Sequence, residues 1–393
     1  MIIQAAERLK VVKEYYFSSK LRQISAMKAA GIDVINVGIG SPDLLPSDET
    51  LAALIDTAQQ KNSHGYQSYS GIPELRQAIA NWYQKCYGCT LNYTNEVLPL
   101  MGSKEGIMHI SMAFLNPDDG VLVPNPGYLT YSSVANLLGA KVLPYRLLEN
   151  NNWLPDFEAL EKQDLTKVKL MWVNYPNMPT GADASTEVFE QLVNFAKKHQ
   201  ILIVNDNPYS LVLNDKPKSV LSVEAAKEVA IELNSLSKSH NMAGWRIGML
   251  VGHKDYLNLV LKVKSNMDSG MFLGLQKAAI AALNNTVTWH QIQNEVYQKR
   301  KKIALQILSE LNCTAQENQV GLFVWAKVPN NILSVTEWLD KLLLQARVFI
   351  TPGFIFGTAG ANYVRIALCS EAYILQEVLQ RVKVFSKTEE IKK

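Results

Sequence analysis

The chain has 393 residues, with 39 Lys and Arg against 36 Asp and Glu, a formal net charge of +3. Its 48% hydrophobic and 19% charged residues are the usage of an ordinary globular protein, long enough to bury a core without disulfide or metal staples and to form two or three domains. The near balance of charge disfavours nucleic acid as the main partner, no apolar run approaches the roughly 20 residues of a membrane span, and Cys86, Cys89, Cys313 and Cys369 are too few to staple the chain. Met1 to Lys10 lack the pattern of a signal peptide, so the expected compartment is the cytoplasm.

Residues 5–30 read as a helix, with Leu9, Val12, Tyr16, Leu21 and Ile24 near helical spacing. A short strand, Ile32 to Val37, runs into the turn-rich stretch Gly38-Ile39-Gly40-Ser41-Pro42-Asp43. Glu74 to Tyr87 is helical, with Pro73 suited to its start. Val121 to Val123, ended by Pro124, is a short buried strand; Lys169 to Val173 and Ile201 to Val204 are two more. Between the last two lies a helix, Thr186 to Lys198, with Ser185 as its N-cap. Ala230 to Leu233 and Ile247 to Val251 are further strands. Such alternation predicts a parallel sheet covered on both faces, with ligands beyond the carboxyl ends of its strands.

From Thr286 a long amphipathic helix runs to Leu311, with Trp289, Ile292, Val296, Ile303 and Ile307 on its apolar face. The strand Gly321 to Ala326 follows. A helix from Val335 to Leu344 has Ser334 and Glu337 as a capping box. Tyr363 to Leu368 is a strand and Glu371 to Val384 a helix, which suggests a smaller α+β domain; the charged tail from Ser386 is expected to fray.

Several signals carry little. Cys86-x-x-Cys89 lacks a second ligand pair, so it is read as a helix end with two incidental thiols and no metal. Lys299-Arg300-Lys301-Lys302 is read as a solvated helix face. Gly38-x-Gly40 lacks the third glycine of a dinucleotide fingerprint. Ser235-Leu236-Ser237-Lys238 is different, because two hydroxyls precede the lysine and Arg246 follows between two glycines. Hydroxyls, a guanidinium and glycine backbone suit a phosphate monoester. A lysine desolvated beside arginine becomes a nucleophilic amine. In Asn205-Asp206-Asn207-Pro208-Tyr209, an acid and a phenol can address opposite edges of a flat ring. Together these groups are what pyridoxal phosphate requires: the acid keeps the pyridine nitrogen protonated and the phenol bonds the ring's O3′.

On these residues the chain resembles the fold-type-I pyridoxal-phosphate aminotransferases of class I/II, in the aspartate and LL-diaminopimelate aminotransferase branch, over nearly its whole length. The resemblance implies an α/β fold: a large cofactor-binding domain over 45–286 with a mainly parallel sheet, and a smaller domain from 287–393 joined by residues 1–44. It implies that Lys238 is the Schiff-base lysine and that Ser235, Ser237 and Arg246 bind phosphate. Gly102-Ser103-Lys104 resembles the family's phosphate cradle at a helix start. Tyr128 is similar to the aromatic that stacks on the ring. Tyr66, and the segment Lys264 to Gly270, resemble parts that reach the neighbouring subunit's site, which implies a homodimer. Arg365 and Gly40 are similar to the groups that meet the substrate α-carboxylate. One departure stands out. The family's Asn-Pro-Thr-Gly reads here Asn177-Met178-Pro179-Thr180-Gly181, so Met178 takes the Asn position and Asn177, one residue earlier, is expected to reach O3′.

The implied activity is transfer of an amino group from an L-amino acid to a 2-oxo acid. Carbon–sulfur β-lyases on the same fold use the same motifs and remain the alternative. A third reading, a sensor domain of a transcription regulator, needs a DNA-binding domain, and only about 30 residues precede the Gly38 loop. No second arginine for a distal carboxylate is evident. The 264–270 segment leans towards dicarboxylic or diamino-dicarboxylic substrates.

Overall fold

The computed structural model describes residues 3–11 and 16–391. The strands are β1 (Ile35–Asn36), β2 (Val97–Leu100), β3 (Gly120–Asn125), β4 (Lys141–Arg146), β5 (Val168–Val173), β6 (Leu202–Asp206), β7 (Ala230–Ser235), β8 (Gly248–Gly252), β9 (Thr314–Ala315), β10 (Phe323–Lys327), β11 (Val348–Phe349), β12 (Thr351–Pro352) and β13 (Tyr363–Ala367). The helices are α1 (Tyr16–Ala29), α2 (Asp48–Ala58), α3 (Pro73–Tyr87), α4 (Ser103–Phe114), α5 (Leu129–Leu137), α6 (Phe157–Glu161), α7 (Thr186–His199), α8 (Leu236–Ser239), α9 (Lys254–Lys264), α10 (Leu273–Leu283), α11 (Val287–Glu310), α12 (Val335–Lys341) and α13 (Ala372–Ile391).

The central sheet has seven strands in the order β2-β8-β7-β6-β5-β3-β4. β8 is antiparallel to both its neighbours, and the remaining pairs are parallel. The expected parallel, doubly covered sheet is therefore observed, with β8 reversed. Alternation along each strand explains the two covered faces. In β5, Leu170 and Trp172 join the apolar layer under α4, α5 and α9. Met171 and Val173 join the layer that also holds α3, α7 and the inner side of the second sheet. That four-stranded sheet, β12-β13-β10-β9, is antiparallel. β1 pairs in parallel with β11, so the N-terminal segment is bonded to the C-terminal part of the chain.

The capping signals act as read. Ser185 Oγ accepts from Val188 N and Ser334 Oγ from Glu337 N. Pro73 sits at the start of α3, which Gly88 closes in the left-handed conformation.

Some expectations are corrected. In place of one helix over 5–30 there is a 3-10 turn at Glu7–Val11 and then α1; Val12 falls outside the described residues. Ile24 is the only residue of α1 that is buried. β3 continues through Pro124, because pairing with β5 stops at Leu122 and the proline's missing N–H interrupts no ladder there. The apolar face of α11 begins late: Ile292 is 53% exposed, and the buried side runs from Tyr297 through Ala304 to Leu308. The basic run on α11 is only half a solvated face: Lys299 and Lys302 are exposed as expected, but Arg300 and Lys301 are not. Arg300 is buried and makes a bidentate pair with Asp43, at 2.6 and 2.8 Å. Lys301 is buried and donates to the carbonyls of Glu317 and Gln319, both at 2.6 Å. The helix from Val335 stops at Lys341 and ends in a wider turn, Leu342–Ala346. The tail does not fray at Ser386: α13 reaches Ile391, and Ser386 Oγ donates to the carbonyl of Glu310. Lys392 and Lys393 are outside the described residues. All four cysteines are free.

Candidate active site

Because β2 runs parallel to β3, β5, β6 and β7, their carboxyl ends meet along one edge, together with the start of β8. A cavity of about 590 Å³ opens there. Its wall includes Ser103 and Lys104 at the start of α4, Tyr128, Asp206, Tyr209, Ser235, Ser237, Lys238 and Arg246, and from the second sheet and its neighbours Gly40 and Arg365. The structure thus brings together most of the residues singled out by sequence, from six separate segments of the chain.

Lys238 lies in the single turn α8 that follows β7 directly. Its Nζ donates to the carbonyl of Gly40 at 2.6 Å. Burial, reinforced by Arg365 and Arg246, holds its ammonium below the usual lysine range. Arg246 has left-handed backbone and donates to the carbonyl of Ala243, and its guanidinium lies against Gly102. Gly102 has φ +87, and a Cβ there would stand 2.2 Å from Arg246 Nη2. The left-handed backbone calls for glycine there, and any side chain would also have to displace the arginine's guanidinium. Gly102 caps α4, whose first N–H groups face the loop and favour an anion.

Asp206 ends β6. Its Oδ2 accepts from Tyr131 Oη at 2.7 Å, and its buried Oδ1 has no hydrogen-bond partner among the described residues. Burial pushes its carboxyl up to about 6, and the Tyr131 bond and the Lys238 charge act in the opposite direction. Tyr131, which carried no role in the sequence reading, stacks on Trp172 with ring centroids 4.8 Å apart. Its signal was an aromatic one helical turn after Tyr128.

At the other end of the cavity Arg365 is 6% exposed. Its guanidinium lies over Phe323 at 3.9 Å and Phe356 at 4.5 Å. Nη2 donates to the carbonyl of Gly38 at 2.9 Å, Nη1 meets Met178 Sδ at 3.2 Å, and Nε has no partner among the described residues. Burial brings its pKa down to about 10. A buried cation held by one carbonyl and a thioether has donors to spare for a carboxylate.

Asn177 is not at the cavity. Its Oδ1 accepts from Thr180 N and Oγ1, closing its own turn. Asn174 and Met178 line the cavity instead. Asn174 bridges two loops, donating to the carbonyl of Asp206 at 2.5 Å and accepting from Met178 N at 2.8 Å. Tyr66 is 94% exposed and away from this chain's own cavity. The 264–270 segment lies beside it: Lys264 is ion-paired to Asp268 and donates to the carbonyl of Tyr69, and Gly270 packs on Gln67. Tyr16, Phe17, Phe323, Ile355 and Phe356 line the cavity without having been singled out as site residues, since they come from distant segments.

The sequence model of the aminotransferase class I and II family matches residues 32–382. The LL-diaminopimelate aminotransferase of Dehalococcoides mccartyi strain BAV1 is 42% identical over 371 residues, 93% of this chain and 95% of that protein. That of Halothermothrix orenii is 39% identical over 383 residues, 97% and 98% of the two chains. Among solved structures, substrate-bound BacF from Bacillus subtilis superposes with a TM-score of 0.92 at 36% identity, covering 98% of each chain. A part-buried lysine at the carboxyl edge of such a sheet, in one cavity with an acid and an arginine, accords with these likenesses. The chain belongs to the class I and II aminotransferases, and it is a transaminase.

Proposed function

We propose that the cavity holds pyridoxal phosphate and that the chain uses it to move an amino group from an L-amino acid to a 2-oxo acid. The observation that carries this reading is Asp206: a buried carboxylate in the cavity wall with Oδ1 unpartnered, as a protonated pyridine nitrogen requires. The rest of the wall fits the same group. The α4 amides at Gly102 and Ser103, with Lys104, Ser235, Ser237 and Arg246, suit its phosphate. Tyr128 suits a ring face and Tyr209 a ring oxygen.

When bound, the cofactor supplies an electron sink for charge developing at the substrate Cα. Arg365 fixes the α-carboxylate by paired charge-assisted bonds, with the Gly40 loop beside it. Lys238 Nζ, its amine made available by burial, takes the proton from Cα and returns it in the next step. Asp206 keeps its negative charge opposite the ring, and Tyr131 holds that carboxylate in place.

The names of the relatives support a diamino-dicarboxylic amino donor. The exposed Tyr66, Tyr69 and Met267 support a second copy of this chain over that surface, hence a homodimer. The pairing of β1 with β11 supports the division into a large unit over 45–286 and a smaller one built from both ends. Among the described residues no helix is long and apolar enough to cross a membrane; with four free thiols, this supports the cytoplasm.

The test is the visible spectrum of the purified protein with pyridoxal phosphate. We expect a coloured complex that LL-diaminopimelate bleaches and a 2-oxo acid restores. A protein that cannot be coloured would overturn the cofactor reading. Pyruvate and ammonia released without an acceptor would favour the β-lyase.

A further inference from the structure

Strand parity points Asp206 to the cavity and its neighbours Asn205 and Asn207 to the opposite side. Both asparagines are fully buried and both donate to one carboxylate, that of Glu232 in β7. Asn205 Nδ2 reaches Oε2 at 2.8 Å and Asn207 Nδ2 reaches Oε1 at 3.2 Å. Tyr83 Oη from α3 donates to Oε1 at 3.0 Å, and the backbone N–H of Val220 to Oε2 at 3.1 Å. Each oxygen therefore receives two donors, which suits an ionised carboxylate and leaves no acceptor for a carboxyl proton. Burial raises the pKa of Glu232, and its bonds to Asn205, Asn207 and Val220 act in the opposite direction. None of these four donors carries a charge. The group is held by dipoles alone, and its removal would leave them unsatisfied.

The clamp reaches further. Asn205 Oδ1 accepts from Tyr175 N, at the root of the loop that carries Met178. Asn207 Nδ2 also donates to the carbonyl of Lys218. One carboxylate beneath the sheet edge thus ties down the ends of β5, β6 and β7.

We propose that Glu232 is a positioning residue for amino-group transfer, gripping Asn205 and Asn207 so that Asp206, between them, presents its carboxylate in one fixed direction. The proposal rests on the reading of Asp206 as the partner of the cofactor's ring nitrogen. The test uses the full-length holoenzyme and four variants: Glu232→Gln, Glu232→Asp, Asn207→Ala and the double substitution of Glu232→Gln with Asn207→Ala. Glu232→Gln should weaken pyridoxal phosphate binding about tenfold, and lower kcat by a similar factor with the amino-acid KM little changed. It should also shift the pH titration of the visible chromophore. Asn207→Ala should give part of each effect, and the double variant should be no worse than Glu232→Gln, because both break one clamp. Glu232→Asp should recover part of the loss. A Glu232→Gln protein that melts at lower temperature, yet keeps the wild-type cofactor Kd, chromophore titration and kcat, would reduce Glu232 to a structural role and overturn the proposal. Additive effects in the double variant would do the same. If Glu232→Gln does not fold, an unchanged chromophore titration in Asn207→Ala overturns it. Wild-type protein that binds no pyridoxal phosphate would overturn the reading of the whole site; variants that match a cofactor-binding wild type overturn the Glu232 clamp alone.

Discussion

At the end of the cavity that holds Asp206, Ser235 and Lys238, the side chains rise from the edge of one sheet: Asp206 and Ser235 end their strands, and Lys238 lies three residues beyond β7. At the end that holds Arg365, the walls are gathered from far apart: the arginine's carbonyl partner, Gly38, is 327 residues away in sequence, and its flanking rings belong to Phe323 and Phe356. The first end is set by a hydrogen-bonded ladder and by the neutral donors that hold Glu232 beneath it. The second is set by packing around a cation whose fixed acceptors are one carbonyl and one thioether. A ladder holds direction, which proton transfer needs. Loose acceptors leave a charge available, which binding needs. Substitutions at the two ends should therefore separate into losses of kcat and rises in KM.

The largest effect tests the first end. Lys238→Ala should lower kcat by at least about a thousandfold, because the other lysine of the wall, Lys104, is assigned to the phosphate at the start of α4 and not to the Cα proton. Product formation in a coupled assay measures it, and activity above a tenth of wild type would sink the assignment. At the second end, Arg365→Gln should raise the amino-acid KM by roughly tenfold to a hundredfold, the worth of a charged pair, with kcat changed far less. A fall in kcat at constant KM would erase the contrast between the two ends. The smallest effect lies outside the cavity. Asp43→Ala leaves the Arg300 guanidinium buried without its carboxylate, and we expect about 2–3 kcal/mol lower stability in urea. Asp43 is itself 27% exposed in its side chain, which places the loss at the low end of what a buried pair can show. A loss below about 0.5 kcal/mol, typical of a surface pair, would mean that the Leu368 carbonyl and the Tyr297 ring suffice for Arg300.

The same contrast explains what the sequence disclosed. Lys238, its two serines and Arg246 lie within a dozen residues, so their shared chemistry is visible as a local pattern. So are the caps at Ser185 and Ser334, whose partners are three residues on. Arg300 and Lys301 were misread because a charge run looks solvated until its partners are known, and Asp43 is 257 residues away. Asn177 was misplaced for a finer reason. Between Asn174 and Met178 the chain turns tightly, and the bond from Thr180 to Asn177 Oδ1 fixes that side chain within the turn, away from the cavity wall that Asn174 and Met178 line, with Nδ2 buried and without a partner among the described residues. Tyr131 and Glu232 were passed over because their value lies in what they hold, and nothing in a one-dimensional string says what a tyrosine or a glutamate will hold.

Gly102 and Gly244 look alike in the sequence, two small residues in two loops of one site. At Gly244 nothing stands within 4 Å of where a methyl would go. At Gly102 the methyl's place is already taken by the Arg246 guanidinium, on a backbone no other residue adopts easily. A methyl is therefore expected to be tolerated at Gly244 and strained at Gly102, where the left-handed backbone sets the cost and the arginine 144 positions downstream would have to move as well.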